Sequence, residues 1–228
     1  GLLDDGFVIP HSDGSGIIES VGVGVPASMV GERVWVYQAQ YARRFGTACE
    51  YVALPANRAV SLPATSSFSD GACMGIPAMT AHRCVFSDGS VEGKTVLVTG
   101  GAGRVGHYAI QWAKHAGAQV IATASNPQAE DHCFAAGADA VCPHGGDEFI
   151  QIISEMTSGR GVDRVVDGEF GANLPGLLDV VSTGAVITTY SSMAEPEPIL
   201  PFRRMMFMDL TLRLVLVYAM PESAKQHA

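Results

Sequence analysis

Three glycines at fixed offsets are the residues of this chain best placed to do chemistry. Gly101, Gly103 and Gly106 spell GxGxxG within Val96-Leu97-Val98-Thr99-Gly100-Gly101-Ala102-Gly103-Arg104-Val105-Gly106. The motif follows an apolar, strand-like run and opens a helical pattern, the context in which it carries weight. Each glycine has a mechanical reason to be there. Gly101 permits a tight turn, Gly103 lets the main chain approach a pyrophosphate, and Gly106 lets the helix pack closely on the strand. Unpaired N–H groups at the helix mouth, with the helix dipole, then hold the phosphates. A purely structural turn is the competing reading, and it does not account for three glycines at these offsets. Arg104 sits where the helix dipole disfavours a cation, so it either points into solvent or reaches a ligand phosphate.

The next strand-like run, Val120-Ile121-Ala122-Thr123-Ala124, ends at Ser125-Asn126-Pro127. A site selective for NADH places Asp or Glu here to accept hydrogen bonds from the ribose 2′-hydroxyl. Ser125 repels no phosphate and can donate to one, which favours NADPH. The following Gln128-Ala129-Glu130-Asp131 supplies no cation to clamp the 2′-phosphate, so the preference rests on Ser125 alone.

These residues need a scaffold, and two regimes of pattern meet near residues 64–75. Before them, β-branched runs at 16–25, 32–37, 49–55 and 59–63 are punctuated by Gly and Pro, which predicts a small and incomplete β barrel or sandwich. After them, apolar runs without polar alternation fall at 95–99, 119–123, 140–142, 163–166, 185–189 and 212–217. Helix-length segments at 105–116, 128–136, 148–158 and 173–181 lie between the first five. Buried strands separated by helices require a parallel sheet covered on both faces. Six such strands predict the doubly wound α/β dinucleotide fold, with strand order 3-2-1-4-5-6. The expected domains are 1–70 and 71–228.

Composition excludes several alternatives. Hydrophobic residues make up 47% and charged residues 16% of 228, the reverse of a disordered chain. A net charge of −9 argues against a nucleic-acid surface, and no apolar run is long enough to span a bilayer. Five cysteines without CxxC spacing fit neither a disulfide framework nor a zinc finger, and point to a reduced, cytoplasmic setting. A first residue other than Met, and a last segment that reads as the start of a helix, lead us to expect a piece of something longer.

The run from Ile9-Pro10-His11-Ser12-Asp13-Gly14-Ser15-Gly16 through the glycine turn to the strand ending at Tyr218 resembles the medium-chain dehydrogenase/reductase superfamily. Within it, the zinc-independent quinone oxidoreductase branch, the zeta-crystallin-like NADPH:quinone reductases, is most similar. Ile76-Pro77-Ala78-Met79-Thr80-Ala81, Gly100–Gly106 and Tyr190-Ser191-Ser192-Met193-Ala194 carry the resemblance most specifically. It implies a partial GroES-like β domain followed by a Rossmann coenzyme domain truncated at its C-terminus. Zinc-dependent relatives carry a His and a Cys where this chain has Ser12 and Ile76, neither of them a usable ligand, so no metal is expected. His11 alone cannot build a zinc site.

The resemblance also implies a lining for the cofactor, in which Ala102, Gly103, Arg104 and Val105 wrap the pyrophosphate. Thr80 contacts the nicotinamide end, or else bonds to its own helical turn. Ser125 and His144 flank the adenine ribose, with His144 stacking or standing free as a surface histidine. Phe170-Gly171 and Tyr190-Ser191 follow the fourth and fifth strands of the parallel sheet. Val217 and Tyr218 end the sixth and approach the nicotinamide, although core packing explains Val217 equally. Ser12 lies at the substrate end or is an ordinary turn residue. No catalytic acid is identified beyond the substrate-end candidates Ser12 and Thr80. The expected activity is metal-free hydride transfer from NADPH to a quinone. An α,β-unsaturated carbonyl acceptor, or a cofactor-binding module without turnover, are the alternatives. The apolar sixth strand forms an exposed edge, which together with the resemblance points to a homodimer. Methionines 205, 206 and 208, clustered with Phe202 and Phe207, read as core or subunit contact.

Overall fold

The computed structural model describes residues 6–228. They form two compact units that meet between Met79 and Thr80.

The first unit carries a three-stranded antiparallel sheet, ordered β1 (Gly14–Ile17), β2 (Arg33–Val36), β3 (Ala59–Ser61). Val34 and Val36 alternate inward along β2 and are buried, as a strand with one covered face requires. Two expected strands are shorter or missing. Beyond Ile17 the chain bends into a turn closed by Val25 N–H to Gly22 O at 3.2 Å, with Gly24 at φ 84°, so the run to Val25 does not continue as a strand. Residues 49–55 pair with no strand among the described residues, and Tyr51 stands exposed there.

A helix foreseen only in the alternative reading of Thr80, α1 (Phe68–Phe86), begins in this unit. It opens on a reciprocal cap: Asp70 N–H donates to Ser67 Oγ, and Ser67 N–H donates to Asp70 Oδ2 at 2.9 Å. The helix breaks at Gly75 (φ −18°, ψ −112°), two residues before Pro77. Asp13 Oδ2 accepts the Ile76 N–H at 2.9 Å and so caps the segment that follows the break.

The second unit is a six-stranded, wholly parallel sheet. Its strands are β4 (Thr95–Val98), β5 (Gln119–Thr123), β6 (Ala140–Cys142), β7 (Val162–Asp167), β8 (Val181–Thr189) and β9 (Thr211–Leu214). The order β6-β5-β4-β7-β8-β9 is the expected doubly wound one. The helices are α2 (Arg104–His115), α3 (Pro127–Ala136), α4 (Asp147–Thr157), α5 (Phe170–Val180), and two short ones, α6 (Phe202–Phe207) and α7 (Glu222–His227). Strand periodicity divides the core. Val96 and Val98 join Ala109 and Ile110 of α2 and Cys133 of α3, whereas Leu97 joins Ile153 of α4 and Leu174 and Leu177 of α5.

The sixth strand of this sheet is shorter than expected. Val215 N–H makes a last bond to Thr189 O, where β8 ends, so there is no further ladder to join. Val217 and Tyr218 therefore lie in a 3₁₀ turn, Val217–Ala219, and not on the strand; Val217 turns inward and is buried. Charged side chains are sealed inside this unit, Arg164 and Asp167 among them. Arg164 of β7 donates to Val85 O and Asp88 O, while Asp88 takes a two-point ion pair from Arg213 of β9.

Candidate dinucleotide-binding site

The glycine turn lies wholly within the second unit, between β4 and α2. Its left-handed residue is Gly100 (φ 61°) and not Gly101. Gly101 is required for packing instead: a Cβ there would stand 2.7 Å from Cys133 Sγ and 2.9 Å from Ala122 Cβ. A Cβ at Gly106 would stand 2.4 Å from Gly100 O and 2.9 Å from Gly101 Cα, so this glycine lets α2 start hard against the turn rather than against β4. A Cβ at Gly103 would meet only Gly100 O, at 3.1 Å. Gly103 is the N-cap of α2, extended at φ −72° and ψ 162°, and contributes no side-chain cap. Its missing side chain leaves the first-turn amides of a twelve-residue helix without the usual Ser, Thr or Asp acceptor. The result is a cradle of donors, open where a side chain would fill it, which fits a diphosphate.

Hydroxyls on neighbouring strands hold this turn. Gly100 N–H donates to Thr123 Oγ1 at 2.9 Å, and Gly101 N–H to Thr123 O at 3.0 Å. Thr123 Oγ1 in turn meets His144 Nδ1 at 2.8 Å. This chain of contacts joins the turn to the carboxyl ends of β5 and β6, which are adjacent strands. Ser125 and His144 are both exposed there. Asn126 caps α3 by accepting the Ala129 N–H at 2.9 Å, and its amide approaches Ser125 Oγ at 3.3 Å. Ala102 and Val105 are half-buried against the core, and Arg104 is exposed.

The other anticipated residues are arranged differently. Gly171 is buried, and its amide donates to Ser192 Oγ at 2.9 Å. A Cβ there would stand 2.2 Å from Glu195 O, so this glycine seats the loop after β8. Ser191 O accepts the Phe170 N–H at 3.0 Å, and burial pushes the Tyr190 phenol well above its ordinary range. Tyr190 lies over Gly168, whose Cβ would meet the phenol oxygen at 2.7 Å. Thr80 is buried in α1, and Tyr218 is half-buried in the 3₁₀ turn. Ser12 belongs to the first unit, where its carbonyl accepts the Ala39 N–H at 2.9 Å. Beside it, burial pushes the Asp13 carboxyl up to about 6 against the bond from Ile76, and Asp13 Oδ1 has no partner.

Sequence reasoning missed the polar residues that end the buried strands: Thr99, Thr123, Asp167 and Thr189. Asp167 is fully buried and accepts from Thr99 Oγ1 at 2.7 Å, Asn173 Nδ2 at 2.7 Å and the Glu169 N–H at 3.1 Å. The available signal was a hydroxyl or carboxyl closing each apolar run at the edge where ligands bind in such sheets.

Among the described residues no group of three or more His, Cys, Asp or Glu side chains could hold a metal ion. Ile76 offers no lone pair from its side chain, and its amide is taken by Asp13.

Residues 105–228 match the family model described as zinc-binding dehydrogenase. The quinone oxidoreductase of Rattus norvegicus is 34% identical over 176 residues, which is 77% of this chain and 52% of that protein. The chain thus spans about half the length of the curated relatives it matches. A mycobacterial protein solved in complex with NADPH superposes with a TM-score of 0.80 at 29% identity, covering 91% of this chain and 64% of that one. A protein solved as an NAD-dependent alcohol dehydrogenase gives 0.84 at 28% identity, covering 93% and 68%.

Proposed function

We infer the function from one premise: the chain belongs to the zinc-binding dehydrogenase family, in the quinone oxidoreductase branch of the medium-chain dehydrogenase/reductase superfamily. Its members are oxidoreductases, and the reading adopted here is a metal-free reductase that takes hydride from NADPH and delivers it to a quinone. The observation that carries this reading is the uncapped helix mouth at Gly103, framed by Gly100 and Gly106, where a Cβ at Gly106 cannot be accommodated without displacing main chain.

When bound, a nicotinamide dinucleotide supplies the hydride. The chain's own contribution is binding and orientation. First-turn amides of α2 hold the diphosphate, charge-assisted by the helix dipole. Ser125, exposed beyond β5, donates to the 2′-phosphate, and no carboxylate of the chain replaces it there to select NADH. His144 borders the same end of the cofactor. Ser12 is not one of the Cys, His or carboxylate ligands from which zinc sites are built, so no carbonyl polarisation by a metal is assigned to it. An electron-poor acceptor such as a quinone needs no such polarisation, and its protons come from water.

No helix among the described residues is long and apolar enough to cross a membrane, and a cytoplasmic setting is proposed from the odd number of cysteines without CxxC spacing. A homodimer through β9 is part of the same reading. Leu214 and Leu216 are exposed along that edge, with Phe202 and Phe207 exposed on α6.

Steady-state oxidation of NADPH with a quinone panel tests the function, followed by an enone panel. Turnover with quinones supports the reading. Turnover with enones alone moves the substrate class, and saturable NADPH binding with no turnover of either makes this chain a binding module.

A further inference from the structure

We propose that Asp167 is the positioning residue of the dinucleotide site: it holds the glycine turn in its binding shape by fixing Thr99, and acts on the cofactor only through that turn. The proposal rests on the nicotinamide-binding reading given above and deepens it.

The geometry is directional. Thr99 Oγ1 accepts the Gly168 N–H at 3.1 Å, so its one proton goes to Asp167 Oδ1 at 2.7 Å. Asn173 Nδ2 donates to the same oxygen at 2.7 Å, and the Glu169 N–H donates to Oδ2 at 3.1 Å. Thr189 Oγ1 divides its proton between Asp167 Oδ2 at 3.5 Å and Ser191 O at 3.2 Å. One carboxylate therefore draws together the ends of β4, β7 and β8 and the first turn of α5. Thr99 immediately precedes the left-handed Gly100, whose own amide is held from the other side by Thr123. The turn is thus gripped on both flanks by threonine hydroxyls, and Asp167 fixes the orientation of one of them.

A group that only folds the sheet would not be arranged in this way. All of the donors to Asp167 come from the carboxyl edge of the sheet, where ligands of this fold sit. Burial pushes the Asp167 carboxyl up, and the bonds from Asn173, Thr99 and Glu169 oppose that shift. A buried anion acting through its charge alone repels phosphates, so the two roles predict opposite signs on its removal.

The test compares the full chain with Thr99→Val, Thr99→Ser and Asp167→Asn. NADPH affinity is measured by fluorescence titration, and amide exchange is followed at Gly100–Gly103 and Gly168. An unsatisfied buried partner corresponds to a factor of about ten in the dissociation constant. Thr99→Val is expected to weaken NADPH binding about tenfold and to speed exchange at Gly100–Gly103. Thr99→Ser, which restores the hydroxyl, stays within about twofold. Asp167→Asn is expected to weaken binding as well. The proposal is overturned if Thr99→Val exchanges like Thr99→Ser across the turn, or if Asp167→Asn folds and binds NADPH more tightly. Should Asp167→Asn fail to fold, the Thr99 pair decides. If the unaltered chain binds no NADPH, the cofactor reading falls, and the exchange comparison still decides the role of Asp167.

Discussion

Replacing Gly106 by Ala adds a single methyl group at the point where α2 meets the turn. That methyl would stand 2.4 Å from Gly100 O and 2.9 Å from Gly101 Cα, both main-chain atoms with no rotamer to escape into. Comfortable contacts lie near ~3.5 Å, so the helix mouth has to retreat by roughly 1 Å. The turn cannot follow it, because the Gly100 and Gly101 amides are tied to Thr123. Overpacking of this kind costs about 1–3 kcal/mol of stability. The larger effect is on binding. Losing two hydrogen bonds from first-turn amides to a charged phosphate, at about 1.5 kcal/mol each, costs on the order of 100-fold in affinity. Gly176→Ala is the matched control, since a Cβ there meets nothing within 4 Å and the residue lies inside α5. Alanine in that helix should stabilise by ~0.5–1 kcal/mol and leave affinity unchanged. Fluorescence titration with NADPH and thermal melts on both variants provide the measurements. NADPH binding by Gly106→Ala within about threefold of the unaltered chain, against the ~100-fold loss expected, would refute the reasoning.

Three further outcomes follow from the same observations. The Asp13 carboxyl, raised from 3.8 to about 6, favours folding fully below pH ~4 and loses that contribution as pH rises through ~6. Its full shift corresponds to ~3 kcal/mol and, discounted for partial exposure, to ~1–2. Denaturant titrations should therefore show the stability gap between the unaltered chain and Asp13→Asn changing by that amount from pH 4 to pH 7; a gap constant with pH contradicts the burial argument. Ser125→Asp should weaken NADPH by about tenfold or more and strengthen NADH, read from paired titrations, and equal losses for both would remove Ser125 from the ribose site. Dialysis against a chelator should change neither the melt nor NADPH affinity, whereas stoichiometric zinc in the purified chain would contradict the reading of Ser12 and Ile76.

Much of the second unit was legible because its signals are local and mutually consistent. Strands β4 to β6 are short apolar runs, and Pro127 with Asn126 marks the start of α3. The rule for doubly wound sheets then fixes the strand order. The range of α1 was hidden because it contains Gly75 and Pro77, and the bond from Ile76 N–H to Asp13 that caps the segment after the break joins residues far apart in the chain. Residues 49–55 have a strand's composition, yet a strand exists only where a partner ladder does. The turn residues were found, but the division of labour between Gly100 and Gly101 depends on Cys133, and no spacing rule reveals that contact. Thr99 and Asp167 lie far apart in the chain and become partners only when β4 and β7 pair. Val217 was misplaced because an apolar residue can turn into the core as readily as it can extend a strand.

The most direct test follows the main-chain amides themselves. An isotope-labelled chain titrated with NADPH should show saturable shifts concentrated on Ala102–Gly106, with Ser125 and His144 moving in the same titration. A well-dispersed spectrum in which those amides stay still at saturating NADPH would contradict the claim that this helix mouth grips a diphosphate.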